Sequence, residues 1–210
     1  MNSIKLDVLT LTEKGHFQED IQGILSDPQL RSTVILRRRG TQTFDPTTGI
    51  NTHAWTSTQT YALKGGHSTT EMPSGKGFGI MEFGDVCFLI PLKDINDVVE
   101  LDKDDRILEL VYDSGAVSAT KGSTTVTGDA TEWVEYASQG NFFKMEAEPL
   151  SYLNEVASIT NDTTLVLTDN YAGETKSNQS FQIWKEHFVV GVQRDTFTGL
   201  VIKYWCREIT

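Results

Sequence analysis

Val156-Ala157-Ser158-Ile159-Thr160-Asn161-Asp162-Thr163-Thr164-Leu165-Val166-Leu167 alternates apolar and polar side chains on either side of an Asn-Asp pair. That is the pattern of two half-buried strands joined by a tight turn. Downstream, Tyr171-Ala172-Gly173 closes the pair, and Ser180-Phe181-Gln182-Ile183-Trp184 reads as a further strand. Upstream the character changes at Ser114-Gly115. Ala116-Val117-Ser118-Ala119-Thr120 and Gly122-Ser123-Thr124-Thr125-Val126-Thr127-Gly128 repeat the style of short strands and tight turns. Residues 114–185 are thus predicted to be a small β-sandwich or barrel, about seventy residues being enough for one.

The flanks read as a second β-rich unit. Phe188-Val189-Val190-Gly191-Val192 and Gly199-Leu200-Val201-Ile202-Lys203-Tyr204-Trp205 are two strands whose nearest unpaired partners lie before Gly115. Those partners are a strand at Val34-Ile35-Leu36, a buried strand over 80–91 with Val86, Phe88 and Ile90 on one face, and Asp104–Val111 leading into another. Residues 1–113 plus 186–210 are therefore expected to form a small β-barrel, with 114–185 inserted into it. Leu11, Phe17, Ile21, Ile24 and Leu25 recur at spacings of three and four, which predicts one N-terminal α-helix over 12–30 that Asp27-Pro28 breaks or re-caps. The fold class expected is mainly β.

Three stretches stand out as candidate contact sites. Asp45-Pro46-Thr47-Thr48-Gly49 places proline and glycine where a hairpin turn wants them. The run from Lys64 to Gly79, including Lys64, Gly65, Gly66, His67, Lys76, Gly77 and Phe78, is too rich in glycine for a regular element and is predicted to be a long loop. Arg37-Arg38-Arg39 is the one basic run. It reads as a solvated edge that discourages unwanted strand pairing, as a contact for an acidic partner, or as a contact for a nucleic-acid backbone.

The net charge of −11 opposes tight binding to a DNA duplex, whose affinity comes from lysine and arginine displacing counterions. It suits instead a wall past which DNA slides. With 38% hydrophobic residues and 10% aromatic, the chain is globular by composition, and it lacks an apolar run long enough to span a membrane. Its first residues show no basic stretch followed by an apolar one, so folding in the cytoplasm is expected. Cys87 and Cys206 lie far apart in apolar strands and read as buried thiols.

Chemistry finds little to work with. His16, His53, His67 and His187 are scattered, and none stands at zinc-ligand spacing. Asp94, Asp97, Asp102, Asp104 and Asp105 lack the alternation, central glycine and closing glutamate of a calcium loop. Gly75-Lys76-Gly77-Phe78-Gly79 is not followed by the Ser/Thr and helix of a phosphate cradle. No nucleophile elbow or paired carboxylates occur in a recognisable context. No cofactor, metal or enzymatic activity is expected. Trp55, Trp133, Trp184 and Trp205 read as core or subunit-contact anchors, with a sugar-stacking platform as the other reading.

The order of these features resembles the head-closure, or head–tail connector, proteins of tailed bacteriophages. The residues that carry the resemblance are Asp45-Pro46-Thr47-Thr48-Gly49, Leu89-Ile90-Pro91, Asp105-Arg106-Ile107 and Val192-Gln193-Arg194-Asp195-Thr196-Phe197-Thr198-Gly199-Leu200-Val201-Ile202. The insertion resembles a β-module found in several phage virion proteins. Lys121–Gly128, Thr131-Glu132-Trp133, Val156–Leu167 and Tyr171-Ala172-Gly173 carry that second likeness. The resemblance implies a virion neck protein assembled in the host cytoplasm. It implies a homo-oligomer ring of six or twelve copies, with a portal or adaptor protein above and a tail terminator or tail tube below. Packaged double-stranded DNA would pass through its lumen without sequence-specific binding. The inserted module would face outward, where it can hold fibres or whiskers, and the glycine-rich loop would reach across subunits or into the channel. The alternatives are a receptor- or carbohydrate-binding β-module protein and a tail terminator or tail-completion protein.

Overall fold

The computed structural model describes residues 23–24, 27–47, 49, 51–66, 85–91, 100–194 and 201–208. They are mainly β, in a twelve-stranded sheet: β1 (Arg31–Phe44), β2 (Asn51–Gly66), β3 (Val86–Pro91), β4 (Arg106–Tyr112), β5 (Ala116–Ala119), β6 (Thr125–Asp129), β7 (Phe142–Met145), β8 (Asn154–Asn161), β9 (Thr164–Leu167), β10 (Lys176–Gln179), β11 (Phe181–Arg194) and β12 (Val201–Glu208). A single-turn helix α1 (Trp133–Tyr136) and a 3-10 turn at Leu150–Tyr152 interrupt them. Most of the helix expected over 12–30 lies outside the described residues. Gly23 and Ile24 are helical, and residues 28–30 form a turn in which the Gln29 amide donates to Asp27 Oδ1 at 2.9 Å.

Two cores are built on this sheet. The first lies within the strand circuit β4–β1–β2–β3–β12–β11, which returns on itself because β11 also pairs with β4. Alternation along each strand turns Val34, Leu36, Ala62, Phe88, Ile90, Ile107, Val189, Ile202, Tyr204 and Cys206 to one side, where they bury one another. Cys87 belongs to a separate cluster with Val190 and Trp205, and neither cysteine forms a disulfide. Adjacent strands place Cys87 opposite Trp205 and Val86 opposite Cys206, so the two thiols point to opposite faces.

The second core belongs to the run β10–β5–β6–β9–β8–β7–β11 and centres on Trp133, Phe143, Val156, Leu165, Tyr171, Phe181 and Ile183. Trp133 and Phe181 meet edge to face at 5.8 Å between ring centroids. Tyr112, the last residue of β4, is packed here too, and its hydroxyl accepts the Glu132 amide at 2.8 Å. The alternating stretch Val156–Leu167 is the β8–β9 hairpin, and Asn161 Oδ1 accepts the Thr163 amide at 2.9 Å in its turn. Gly128 is required by close packing: a Cβ there would collide with the Thr131 hydroxyl and lie 2.9 Å from the Trp133 ring.

A buried lysine ties this core to its loops. Lys144 donates to the carbonyls of Met145, Glu146 and Glu148 at 2.9, 2.8 and 2.8 Å, and burial pushes its pKa down. Tyr171 donates its hydroxyl to Glu148 Oε1, and burial followed by that hydrogen bond pushes its own pKa up. Gly173 lies against both groups, which leaves no room for a side chain.

The strand expected to end at Trp184 does not end there. β11 runs unbroken from Phe181 to Arg194, pairing with β7 at its start, β4 in its middle and β12 at its end. The polar stretch Lys185-Glu186-His187 reads as a break, yet all three are engaged. Lys185 pairs with Glu208, Glu186 with Arg37 and Arg106, and His187 with Glu109. At the joint between the two cores Ile35, Leu108 and Trp184 are buried together, with Phe142, Leu150 and Leu153 against them.

Candidate functional site

The feature that departs most from a closed structure is the β1–β2 hairpin. β1 pairs with β2 along its whole length, from Arg31↔Leu63 to Phe44↔Asn51. β4 supports β1 only over Val34–Arg37, and β3 supports β2 only over Leu63–Gly66. Among the described residues, the distal part is therefore a two-stranded arm carrying free backbone edges. Its tip residue Phe44 is 60% exposed.

Asp45-Pro46-Thr47-Thr48-Gly49 makes the tip. Asp45 Oδ1 accepts the Thr47 amide at 2.8 Å, and the Asp45 carbonyl accepts the Gly49 amide at 2.8 Å. Gly49 has φ +72°, the left-handed conformation glycine adopts without strain. Pro46, Thr47 and Gly49 are exposed, and Thr48 lies outside the described residues. The motif thus has a complete local role as a turn.

The arginine run is not one patch. Arg37 is drawn inward, its side chain 12% exposed, with its guanidinium 4.7 Å from the Trp55 ring and 5.0 Å from the Phe142 ring. Glu186 bridges Arg37 and Arg106 at 3.6 and 3.7 Å. Burial lowers the pKa of both guanidiniums and raises that of the Glu186 carboxyl, and the opposite charges offset part of each shift. Arg38 and Arg39 remain exposed. The Arg39 amide donates to Asp105 Oδ1 at 2.8 Å, and the other oxygen of that buried carboxylate accepts the Asp102 amide at 2.7 Å. Asp105 therefore ends the β1–β4 ladder, a role invisible while it counted as one of several acidic loop residues. Asp94 and Asp97 lie outside the described residues.

Arg37 and Trp55 line a cleft of about 580 Å³ at the root of the arm, together with Thr56, Ser57, Leu150, Ser151 and Leu153. Arg37 Nε is buried with no hydrogen-bond acceptor. The cleft offers a cation, an aromatic ring and hydroxyls, which suits binding through polar and stacking contacts.

The first three residues of the predicted loop are strand. Lys64, Gly65 and Gly66 are the last residues of β2, paired with Phe88, Cys87 and Val86. Glycines that read as loop formers here lie within the β2–β3 ladder, where a Cβ at Gly65 would make only ordinary contact with Leu89 at 3.9 Å. Lys64 is partly exposed, and its Nζ donates to both oxygens of Glu109 at 2.8 Å. His187, 2% exposed, donates from Nε2 to Glu109 Oε2 at 2.9 Å. Burial alone would raise the Glu109 pKa, but the hydrogen bonds from His187 and Lys64 outweigh it and hold the carboxyl below its usual range. His67, Lys76, Gly77 and Phe78 lie outside the described residues. Among the described residues, no three His, Cys, Asp or Glu side chains gather as a metal would require, and no helix is long and apolar enough to cross a membrane.

Compared with known proteins, the sequence matches no protein-family model and no curated protein.

Proposed function

We propose that this chain is a structural subunit of a tailed-phage neck, acting in a homo-oligomeric ring that joins the DNA-filled head to the tail. In this reading the closed strand circuit is the small connector barrel, entered through an N-terminal helix, and residues 114–185 form its outward accessory. The observation that carries the reading is the β1–β2 arm. A ring subunit has to offer neighbours something beyond its own core, and this arm offers strand edges that are unpaired among the described residues and an exposed Phe44. The acidic net charge supports passage of DNA without retention on the wall.

Imaging of intact particles tests the proposal. A ring of this two-lobed chain between portal and tail is the expected result. Localisation elsewhere, or unchanged head–tail joining and DNA retention when residues 67–79 are deleted, overturns the placement of that loop or of the chain itself.

A second reading is favoured by the cleft. Arg37, Trp55, Ser57 and Ser151 present the groups a carbohydrate-binding site uses. Retention on a glycan array that is lost in Trp55→Ala would move the chain to the receptor-binding class.

A further inference from the structure

Edge strands in soluble proteins are guarded against adding another strand by lysines, other charges, prolines, bulges or covering loops. The two edges of the arm differ sharply in this respect. The β1 edge carries Arg38 and Arg39, spends the Arg39 amide on Asp105, and is bulged between Arg39 and Gln42. The β2 edge from Asn51 to Ala62 reads Asn-Thr-His-Ala-Trp-Thr-Ser-Thr-Gln-Thr-Tyr-Ala, without a charged residue or a proline. β1 pairs with its other side, and no second strand among the described residues pairs with it. At a rise of about 3.4 Å per residue it extends roughly 40 Å.

We propose that this edge is a strand-addition site and that its occupant is β2 of a second copy of the chain, antiparallel, with Thr56 on the two-fold axis. Self-pairing demands an edge that can face itself, and an uncharged one does so with no like charges opposed. The side-chain pattern selects the register. Centred on Thr56, Thr52 faces Thr60 of the second copy, Ala54 faces Thr58 and Thr56 faces its own counterpart, so threonines align across the junction, with Thr52 and Thr56 exposed, Thr58 half-buried and Thr60 buried. Threonine pairs are among the favourable cross-strand neighbours. On the other face, Ser57 meets Trp55 of the second copy. That face carries the cleft lined by Trp55 and Ser57, which gives the incoming indole a place to lie. A two-fold contact closes on itself and does not propagate a head-to-tail ring, so it is an association of the free chain distinct from any ring contact, and particle imaging and the experiment below can fail separately.

Sedimentation of the full chain at rising concentration, with Thr56→Lys and Thr56→Glu variants, tests the pairing. Wild type is expected to dimerise. Each variant alone should associate at least about tenfold more weakly, and an equimolar mixture of the two should recover the dimer, because opposite charges then meet on the axis. Amide exchange supplies a readout at the backbone: outward-facing amides of Asn51–Ala62 gain protection with concentration in wild type and not in Thr56→Lys. A wild type that stays monomeric overturns the proposal, as does a Thr56→Lys variant that dimerises normally. Loss of association in Arg38→Glu/Arg39→Glu with Thr56→Lys unaffected would also overturn it, by assigning the contact to the β1 edge. Far-UV circular dichroism confirms that the variants remain folded.

Discussion

Replacing Glu109 by alanine should destabilise the protein by about 3 kcal/mol at neutral pH. The carboxylate lies between two donors with different freedom. The Lys64 side chain is 40% exposed and can turn its ammonium to water, whereas His187 is 2% exposed and cannot follow. With Glu109 gone, His187 Nε2 joins Nδ1 as a buried ring nitrogen without a partner. Stranding such a group costs about 1–3 kcal/mol, and removing one member of a buried pair costs about 3–5 kcal/mol in all. The escape open to Lys64 places the expected value at the low end. Glu109→Gln keeps the shape and one acceptor and should cost less than the alanine variant. Urea unfolding followed by tryptophan fluorescence measures both, with an unchanged dependence on urea as the sign that folded and unfolded states keep their compactness. The pH dependence has a definite direction. The Glu109 pKa is lower in the folded chain than its ordinary value of 4.5. Its contribution is therefore complete above that value and is lost as pH falls through the folded pKa, so the gap between wild type and Glu109→Ala should narrow on acidification. A gap below about 0.5 kcal/mol at pH 7 would refute the account given of this network, since that is the range of surface substitutions. So would a gap that widens in acid.

Gly173→Ala should cost about 1–3 kcal/mol, because the new methyl must displace the Glu148 carboxylate or the Tyr171 hydroxyl; thermal unfolding reads it. Trp133→Ala removes a fully buried indole and should cost about 3–5 kcal/mol, with hydrogen exchange rising first in β5, β6, β8 and β9. Asp105→Ala leaves the Arg39 and Asp102 amides unpaired and should destabilise by about 2 kcal/mol, read as faster exchange of those two amides. Gly49→Ala should cost about 1 kcal/mol through its left-handed backbone alone, measured by urea midpoint.

The local devices of this fold were legible in the sequence because each is encoded within a few residues. The Asp45–Gly49 turn, the β8–β9 hairpin and the buried alternation of β3 all follow from spacing and turn chemistry. What stayed hidden depends on partners far away in the chain. Lys185-Glu186-His187 looks like a connection, and it becomes part of a strand only when Glu208, Arg37, Arg106 and Glu109 are placed around it. Gly65-Gly66 looks like the start of a loop, since nothing nearby in sequence announces that β3 will lie alongside. Arg37 and Arg38 are adjacent and chemically identical, but strand alternation sends one to Trp55 and Glu186 and the other to solvent. The β2 edge was the least legible part: the plain composition of Asn51–Ala62 carries no motif, and that no second strand pairs with it among the described residues follows only from the sheet topology.

The unbroken β11 also sets the terms on which the two halves of this chain can be exchanged or engineered. Tyr112 and Ile183 are direct cross-strand partners, so the chain leaves and re-enters the circuit at neighbouring points of one ladder. A tight two-residue turn could bridge them, making β4 and β11 an ordinary hairpin. The intervening segment hangs from the same end of these two adjacent strands, so a load pulling it away draws β4 and β11 together and the shear falls on the β4–β1 and β11–β12 ladders.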